Sequence, residues 1–220
     1  MPLMIELSIP RGPIEVVCLG AHPDDIEIGC GGTLLTLASS RQVTVNYVLM
    51  TGSEPRHEEA RNASAHFLPG AKITHHLLDL PDGRLPARWD EVKQTLENVA
   101  RGCHADLVLA PRSDDAHQDH RLVAELVSTV WRGALIMHYE IPKWDGDFGR
   151  VTHYVALDEA TVQKKIEILN RCFVSQLDRS WWDDETFRAI LRLRGVECQT
   201  RYAEGFLINK AVVDFSDRLT

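Results

Sequence analysis

Ile14-Glu15-Val16-Val17-Cys18-Leu19-Gly20-Ala21-His22-Pro23-Asp24-Asp25 is the stretch that decides the fold. Its apolar, partly β-branched beginning reads as a buried strand over Ile14–Leu19. The run stops at an imidazole and two carboxylates within four positions, and Gly29-Cys30-Gly31-Gly32-Thr33 follows. In open α/β sheets ligands bind at the carboxyl ends of strands, so these side chains stand where chemistry is done. One divalent metal can take His22 and one aspartate as ligands and leave the other aspartate as a base. Taken alone, Asp24-Asp25 also reads as a cap for the helix after the glycines. The glycines can likewise cradle a phosphate, although they match neither GxGxxG nor GxxxxGK(S/T).

Outward from this stretch, strand-like and helix-like segments alternate. Thr33–Ser40 reads as a short helix opened by a glycine loop, and Val43–Met50 as a central strand. Pro55–Phe67 has proline near a helix start and Ala60, Ala63 and Phe67 on one face. Ile73–Leu78 is a strand ended by the turn signal Pro81-Asp82-Gly83. Trp89–Arg101 repeats Trp89, Val92, Leu96 and Val99 at helical spacing, and Leu107–Ala110 is a short strand stopped by Pro111. A helix follows from about Gln118 to Arg132, and Leu135–Tyr139 continues the sheet. This alternation predicts an α/β fold: a Rossmann-like, mostly parallel sheet with helices on both faces. The last third changes character, with Val151–Leu157, a helix over Ala160–Cys172 and a polar, Trp-rich region around Ser180–Arg194. No linker interrupts the chain, so residues 1–220 are expected to form a single domain with a C-terminal elaboration.

The 220 residues carry 24 Lys and Arg against 32 Asp and Glu, a formal charge of −8. That balance, with no basic run of five, argues against a nucleic-acid binder. No apolar run reaches the roughly 18–20 residues needed to span a bilayer, so no membrane insertion is expected. The segment Met1–Leu7 lacks the features of a leader peptide. Five scattered cysteines without CxxC spacing fit reduced thiols and a cytoplasmic location.

A third ligand should come from another strand end. After Leu107–Ala110 comes Pro111-Arg112-Ser113-Asp114-Asp115-Ala116-His117-Gln118-Asp119-His120-Arg121. His117 and His120 are three apart at a helix start and can look the same way. Two histidines with Asp25 make a three-ligand site that keeps positions open for water and substrate. His57, His66, His75, His76, His104, His138 and His153 lack such paired spacing and read as surface or packing residues.

Together, Ala21-His22-Pro23-Asp24-Asp25-Ile26-Glu27-Ile28-Gly29-Cys30-Gly31-Gly32-Thr33 and His117-Gln118-Asp119-His120 resemble the two motifs of the PIG-L/LmbE-like family of zinc-dependent N-deacetylases. The resemblance extends to Arg56-His57-Glu58-Glu59, Leu80-Pro81-Asp82-Gly83-Arg84-Leu85, Ser175-Gln176 and Tyr202-Ala203-Glu204-Gly205-Phe206. Ile26 stands where Glu is frequent and Gln118 where Pro is frequent, which bears on substrate rather than on chemistry.

By position, the resemblance implies that His22, Asp25 and His120 bind the metal and that Asp24 is the general base. It implies that His117 stabilises the oxyanion or protonates the leaving amine. Asp119 and Asp115 are candidates to orient a histidine from behind; a helix N-terminal acid is the other reading of Asp119. Arg56 suits a substrate phosphate or carboxylate, and Asp82 suits sugar hydroxyls. An exposed helix-start residue and a β-turn residue are their respective alternatives. Trp144, Trp181 and Trp182 read as packing or a homo-oligomer contact, or as rings that stack on a sugar. The implied cofactor is Zn²⁺, while a two-histidine, one-carboxylate set also suits Fe²⁺. The implied reaction removes an N-acetyl group from a small amino-sugar compound. A non-sugar N-acyl metabolite is the alternative substrate, and a non-catalytic binding module the alternative class.

Overall fold

The computed structural model describes residues 6–9 and 11–213; most of the N-terminal segment read for a leader, Met1–Ile5, lies outside them. Seven strands form one sheet: β1 (Ile14–Gly20), β2 (Val43–Thr51), β3 (Lys72–Leu80), β4 (Leu107–Pro111), β5 (Leu135–Tyr139), β6 (His153–Leu157) and β7 (Tyr202–Leu207). The helices are α1 (Asp25–Ser40), α2 (Glu54–Phe67), α3 (Trp89–Gly102), α4 (Gln118–Val130), α5 (Glu159–Cys172) and α6 (Asp184–Glu197). Strand order is β3-β2-β1-β4-β5-β7-β6. The first five are parallel, and β7 runs antiparallel to both β5 and β6.

From β1 the chain walks outward through β2 to β3, then returns to β4 on the other side of β1. Right-handed crossovers in opposite directions put their helices on opposite faces. Accordingly Val16, Cys18 and Tyr47 pack with Ile26, Leu34 and Phe67 of α1 and α2. Val17, Leu19 and Met50 pack with Val92, Leu96, Leu122 and Leu126 of α3 and α4. β1 is covered on both faces, which is why it reads as a continuous apolar run instead of an alternation. The reversal of strand order leaves a crevice between the carboxyl ends of β1 and β4, and both histidine motifs follow those ends.

The glycine stretch differs from its expectation as a loop. α1 begins at Asp25 and carries the glycines inside it, kinked at Cys30 (φ −142, ψ 20). They serve close packing: a Cβ on Gly31 would lie 2.6 Å from the Phe67 ring, one on Gly32 2.5 Å from Leu157, and one on Gly29 would run into Tyr139. The backbone groups at the kink are satisfied from the C-terminal third. Lys165 Nζ donates to Ile28 O at 2.7 Å, and the Glu204 carboxylate accepts from the N–H groups of Gly32 and Thr33 at 2.8 and 2.7 Å.

The Trp-rich region also differs, since it contains α6. Asp183 caps that helix by accepting from Glu185 N at 2.7 Å, and Phe187 and Leu191 form its buried stripe. Trp89, expected on the inner face of α3, is 44% exposed. The helix starts there, and burial begins one turn later at Val92. Among the described residues no helix is long and apolar enough to cross a membrane.

Candidate active site

The turn after β1 is held by its own aspartate. Asp25 Oδ2 accepts from the backbone N–H of Ala21 at 2.9 Å and of His22 at 2.8 Å. Its other oxygen is thereby turned toward α4. Asp24 sits at φ 115, a region that L residues rarely adopt. Such backbone costs about 1–3 kcal/mol and is retained where the surroundings fix it. Here the Asp25 clamp and the start of α1 fix it, and Asp24 is 7% exposed.

The loop after β4 supplies the other half. His117 is the N-cap of α4, its Nδ1 accepting from Asp119 N–H at 3.2 Å. His120, one turn on, lies stacked against it with ring centroids 4.7 Å apart. Across the crevice His22 Nδ1 lies 3.1 Å from His120 Nε2. Asp25 completes a triangle of residues through both of its oxygens, Oδ2 at 3.5 Å from His22 Nδ1 and Oδ1 at 3.3 Å from His120 Nε2. A tetrahedral metal with bonds of about 2.0–2.1 Å separates neighbouring donors by about 3.3 Å. The separations from His120 Nε2 to His22 Nδ1 and to Asp25 Oδ1, 3.1 and 3.3 Å, are of that size. Ligating atoms of His22, His117 and His120, and of His22, Asp82, His117 and Asp119, also lie within 4.8 Å of one another. These sets draw on the same pocket, and His117 has only Nε2 left for such a role because Nδ1 serves as the cap.

The outer nitrogens of both imidazoles face carboxylates. His22 Nε2 lies 2.9 Å from Asp82 and 3.4 Å from Asp119, and His120 Nδ1 lies 3.0 Å from Asp115. Such neighbours favour N–H on the outer nitrogen and leave the inner lone pair for a metal. Electrostatics point the same way. Burial disfavours a charged imidazole, yet Asp25 and neighbouring carboxylates hold His22 well above its ordinary range and raise His120 to about 9. Burial likewise opposes ionisation of Asp25, but His120 and His22 hold it well below the usual carboxylate range. The pocket draws positive charge inward, and a divalent cation can supply it.

Asp24 is different. Burial pushes its carboxyl up to about 7, against the pull of Arg56. Arg56, at the start of α2, donates from Nη2 to Asp24 Oδ2 at 2.9 Å and to Pro23 O, and from Nη1 to Glu59 at 2.6 Å and Ser175 at 2.7 Å. Its guanidinium is thus engaged by groups of the chain itself. Asp82 stands at the rim with its side chain 76% exposed.

Three contributors escaped sequence reasoning. Lys143 Nζ lies 3.1 Å from Asp115 and 2.8 Å from Asp147, which ties the segment after β5 behind His120. Gln118 donates to Gly83 O at 3.1 Å. Asp119 accepts from Gly83 N at 2.7 Å and Leu85 N at 3.0 Å, so the two residues clamp the loop that carries Asp82. Glu59, quoted only as part of a resembling stretch, accepts from Ser175 N and Oγ at 2.8 and 2.7 Å. These roles depend on segments meeting across 28 or more residues of chain, and no local spacing signals them.

Known proteins resemble this chain in sequence and fold. The chain is 32% identical over 139 residues to an uncharacterized deacetylase, YaiS, of Escherichia coli (strain K12), covering 58% of this chain and 74% of that protein. It is 35% identical over 124 residues to the diacetylchitobiose deacetylase of Thermococcus kodakarensis, covering 49% of this chain and 45% of that protein. Among solved structures, the N,N'-diacetylchitobiose deacetylase of Pyrococcus horikoshii superposes with a TM-score of 0.73 at 23% identity, over 92% of this chain and 88% of that one. GalB, a 4-carboxy-2-hydroxymuconate hydratase of Pseudomonas putida, matches with the same TM-score at 18% identity over 92% and 99%, so the shared fold alone does not select a reaction. The family described as PIG-L, GlcNAc-PI de-N-acetylase, matches residues 17–131, which span both histidine motifs. The chain belongs to the PIG-L family of de-N-acetylases.

Proposed function

We propose that this chain is a metal-dependent N-deacetylase that hydrolyses the acetamide of a small amino-sugar conjugate. The observation that carries the reading is the His22–Asp25–His120 triangle with the buried Asp24 carboxylate beside it. In this reading those three residues hold a divalent metal, with Zn²⁺ favoured by the two-imidazole, one-carboxylate donor set and the hydrolytic role. When bound, that metal supplies Lewis-acid polarisation of the amide and lowers the pKa of its water from 15.7 to about 7. Asp24 takes the proton of the attacking water and returns it to the leaving amine. Arg56 keeps Asp24 ionised and aimed; with its donors engaged, we assign it to the base rather than to a substrate anion. His117, whose Nδ1 is occupied by the Asp119 N–H, carries its proton on Nε2 and donates it in a hydrogen bond to the developing oxyanion. Losing one such donor costs about 10²–10³ in rate in other hydrolases. Asp115 and Asp119 orient His120 and His22 from behind. Asp82 accepts hydrogen bonds from the substrate's hydroxyls.

The named substrate of the Thermococcus relative supports an amino-sugar substrate here. The single sheet supports one domain, and five unpaired cysteines support a cytoplasmic setting. Acetate release from a panel of N-acetylglucosamine conjugates and non-sugar acetamides tests the reading. Release from the sugar conjugates, abolished by chelation and by Asp24→Ala, is expected. Zinc-loaded protein that frees no acetate from any sugar conjugate overturns it. Metal analysis of protein purified without oxygen distinguishes zinc from iron.

A further inference from the structure

An unbroken line of aromatic contacts joins the two sides of the site. On the Asp24 side, the Arg56 guanidinium lies 5.8 Å from the centroid of Phe173. Phe173 meets Trp182 at 5.9 Å, Trp182 meets Trp181 at 5.6 Å, and Trp181 meets Trp144 edge-on at 6.2 Å. Trp144 follows Lys143, whose ammonium is bonded to Asp115 behind His120. Asp147 anchors the same segment by accepting from Ala116 N at 2.7 Å, next to His117. The buried end of the line, Trp182 and Phe173, is core packing. The other end is open: Trp144 is 63% exposed, and Phe148, Val174 and Leu177 on the same two segments are also exposed. Exposed large apolar groups thus lie on the two segments that this line connects to Arg56 and to Lys143. The polar groups nearby, Arg56, Glu59, Ser175, Lys143 and Asp147, are engaged with one another and are not free to bind a second sugar.

We propose that Trp144 and Trp181 form a specificity subsite for an apolar alkyl or aryl aglycone on the substrate's amino sugar. This rests on the deacetylase reading and adds the substrate's other end. Trp182 is the buried prop of the subsite, and Trp181 is held edge-on to Trp144. The anchored Lys143–Asp147 segment makes the position rigid, so little ordering is needed when the aglycone docks.

The test compares octyl N-acetyl-β-glucosaminide with free N-acetylglucosamine, by acetate release and by calorimetric binding to the zinc-loaded protein. Wild type is expected to favour the octyl glycoside in kcat/KM by about tenfold or more, as burial of part of the chain implies. Trp144→Ala, at an exposed position, should bring the ratio close to one through KM while leaving free N-acetylglucosamine unchanged. Trp144→Phe should restore most of the preference. Equal kcat/KM for both substrates, or a ratio that Trp144→Ala does not alter, overturns the subsite and leaves the deacetylase reading intact. Octyl glycoside that binds in a Trp144-dependent way without acetate release upholds the subsite and overturns the deacetylase reading. Neither binding nor turnover overturns both.

Discussion

Two charged clusters meet α1, one at its N-terminus and one at its kink, and they are built in opposite ways. At the kink, Glu204 Oε1 accepts from Lys165 Nζ at 2.7 Å and Gly32 N at 2.8 Å, and Oε2 from Thr33 N at 2.7 Å and Thr33 Oγ1 at 2.6 Å. One ammonium meets one carboxylate, and the donors around Glu204 satisfy both its oxygens. At the N-terminus of α1, five carboxylates (Asp24, Asp25, Asp82, Asp115 and Asp119) share the space with two permanent cations, Arg56 and Lys143, and three imidazoles. A closed cluster serves the fold; an open one with surplus negative charge serves a ligand. Burial by itself does not separate them, since Glu204 and Asp25 are 2% and 3% exposed.

The contrast can be broken from either side. Lys165→Met should produce the largest effect on the fold, because it strands a buried carboxylate and the Ile28 carbonyl. A loss of about 3–5 kcal/mol in denaturant unfolding is expected, with zinc affinity unaltered where the variant is folded. Unchanged stability would show that the kink does not depend on this pair. Asp115→Asn acts on the open cluster instead. Zinc affinity should fall by about 10- to 100-fold, as for other supports of ligating histidines; equilibrium titration against a competing chelator reads this, and wild-type affinity would remove Asp115 from the site.

Smaller effects sharpen the roles within the open cluster. Arg56 favours the ionised form of Asp24, so Arg56→Gln should raise the carboxyl's pKa. Activity that needs the ionised base is lost as pH falls through that pKa. The acid limb of the kcat/KM profile should therefore move to higher pH, and a limb that stays in place or moves down contradicts the assignment. Gln118→Ala removes one hydrogen bond from the Asp82 loop, worth about 1 kcal/mol. A several-fold rise in KM with kcat nearly kept is the expected signature, and an equal fall in kcat would instead mean that the loop touches the reacting atoms.

The open cluster was largely legible in the sequence, because His22-Pro23-Asp24-Asp25 and His117-Gln118-Asp119-His120 each sit at one strand end and carry reactive types at close spacing. The parallel strands were legible for a related reason: strands buried on both faces spell continuous apolar runs. The closed cluster was not legible. Lys165 and Glu204 meet Ile28, Gly32 and Thr33 from far along the chain, and nothing local marks a helix that bends around glycines. For the same reason Gly29–Gly32 looked like a loop, although the close approach of Tyr139, Phe67 and Leu157 requires the glycines inside a helix. The left-handed backbone of Asp24 and the engagement of Arg56 are likewise products of tertiary contact.

The most direct test of the open cluster is calorimetric titration of metal-free protein with Zn²⁺, comparing wild type with Asp25→Asn and His120→Ala. Asparagine at position 25 keeps an oxygen for the backbone clamp while losing the charged ligand, so thermal unfolding of the metal-free variant serves as the control on folding. The expected result is one equivalent bound by wild type and no comparable binding by either folded variant. Wild-type zinc binding by folded Asp25→Asn would contradict the assignment of the triangle as the metal's seat.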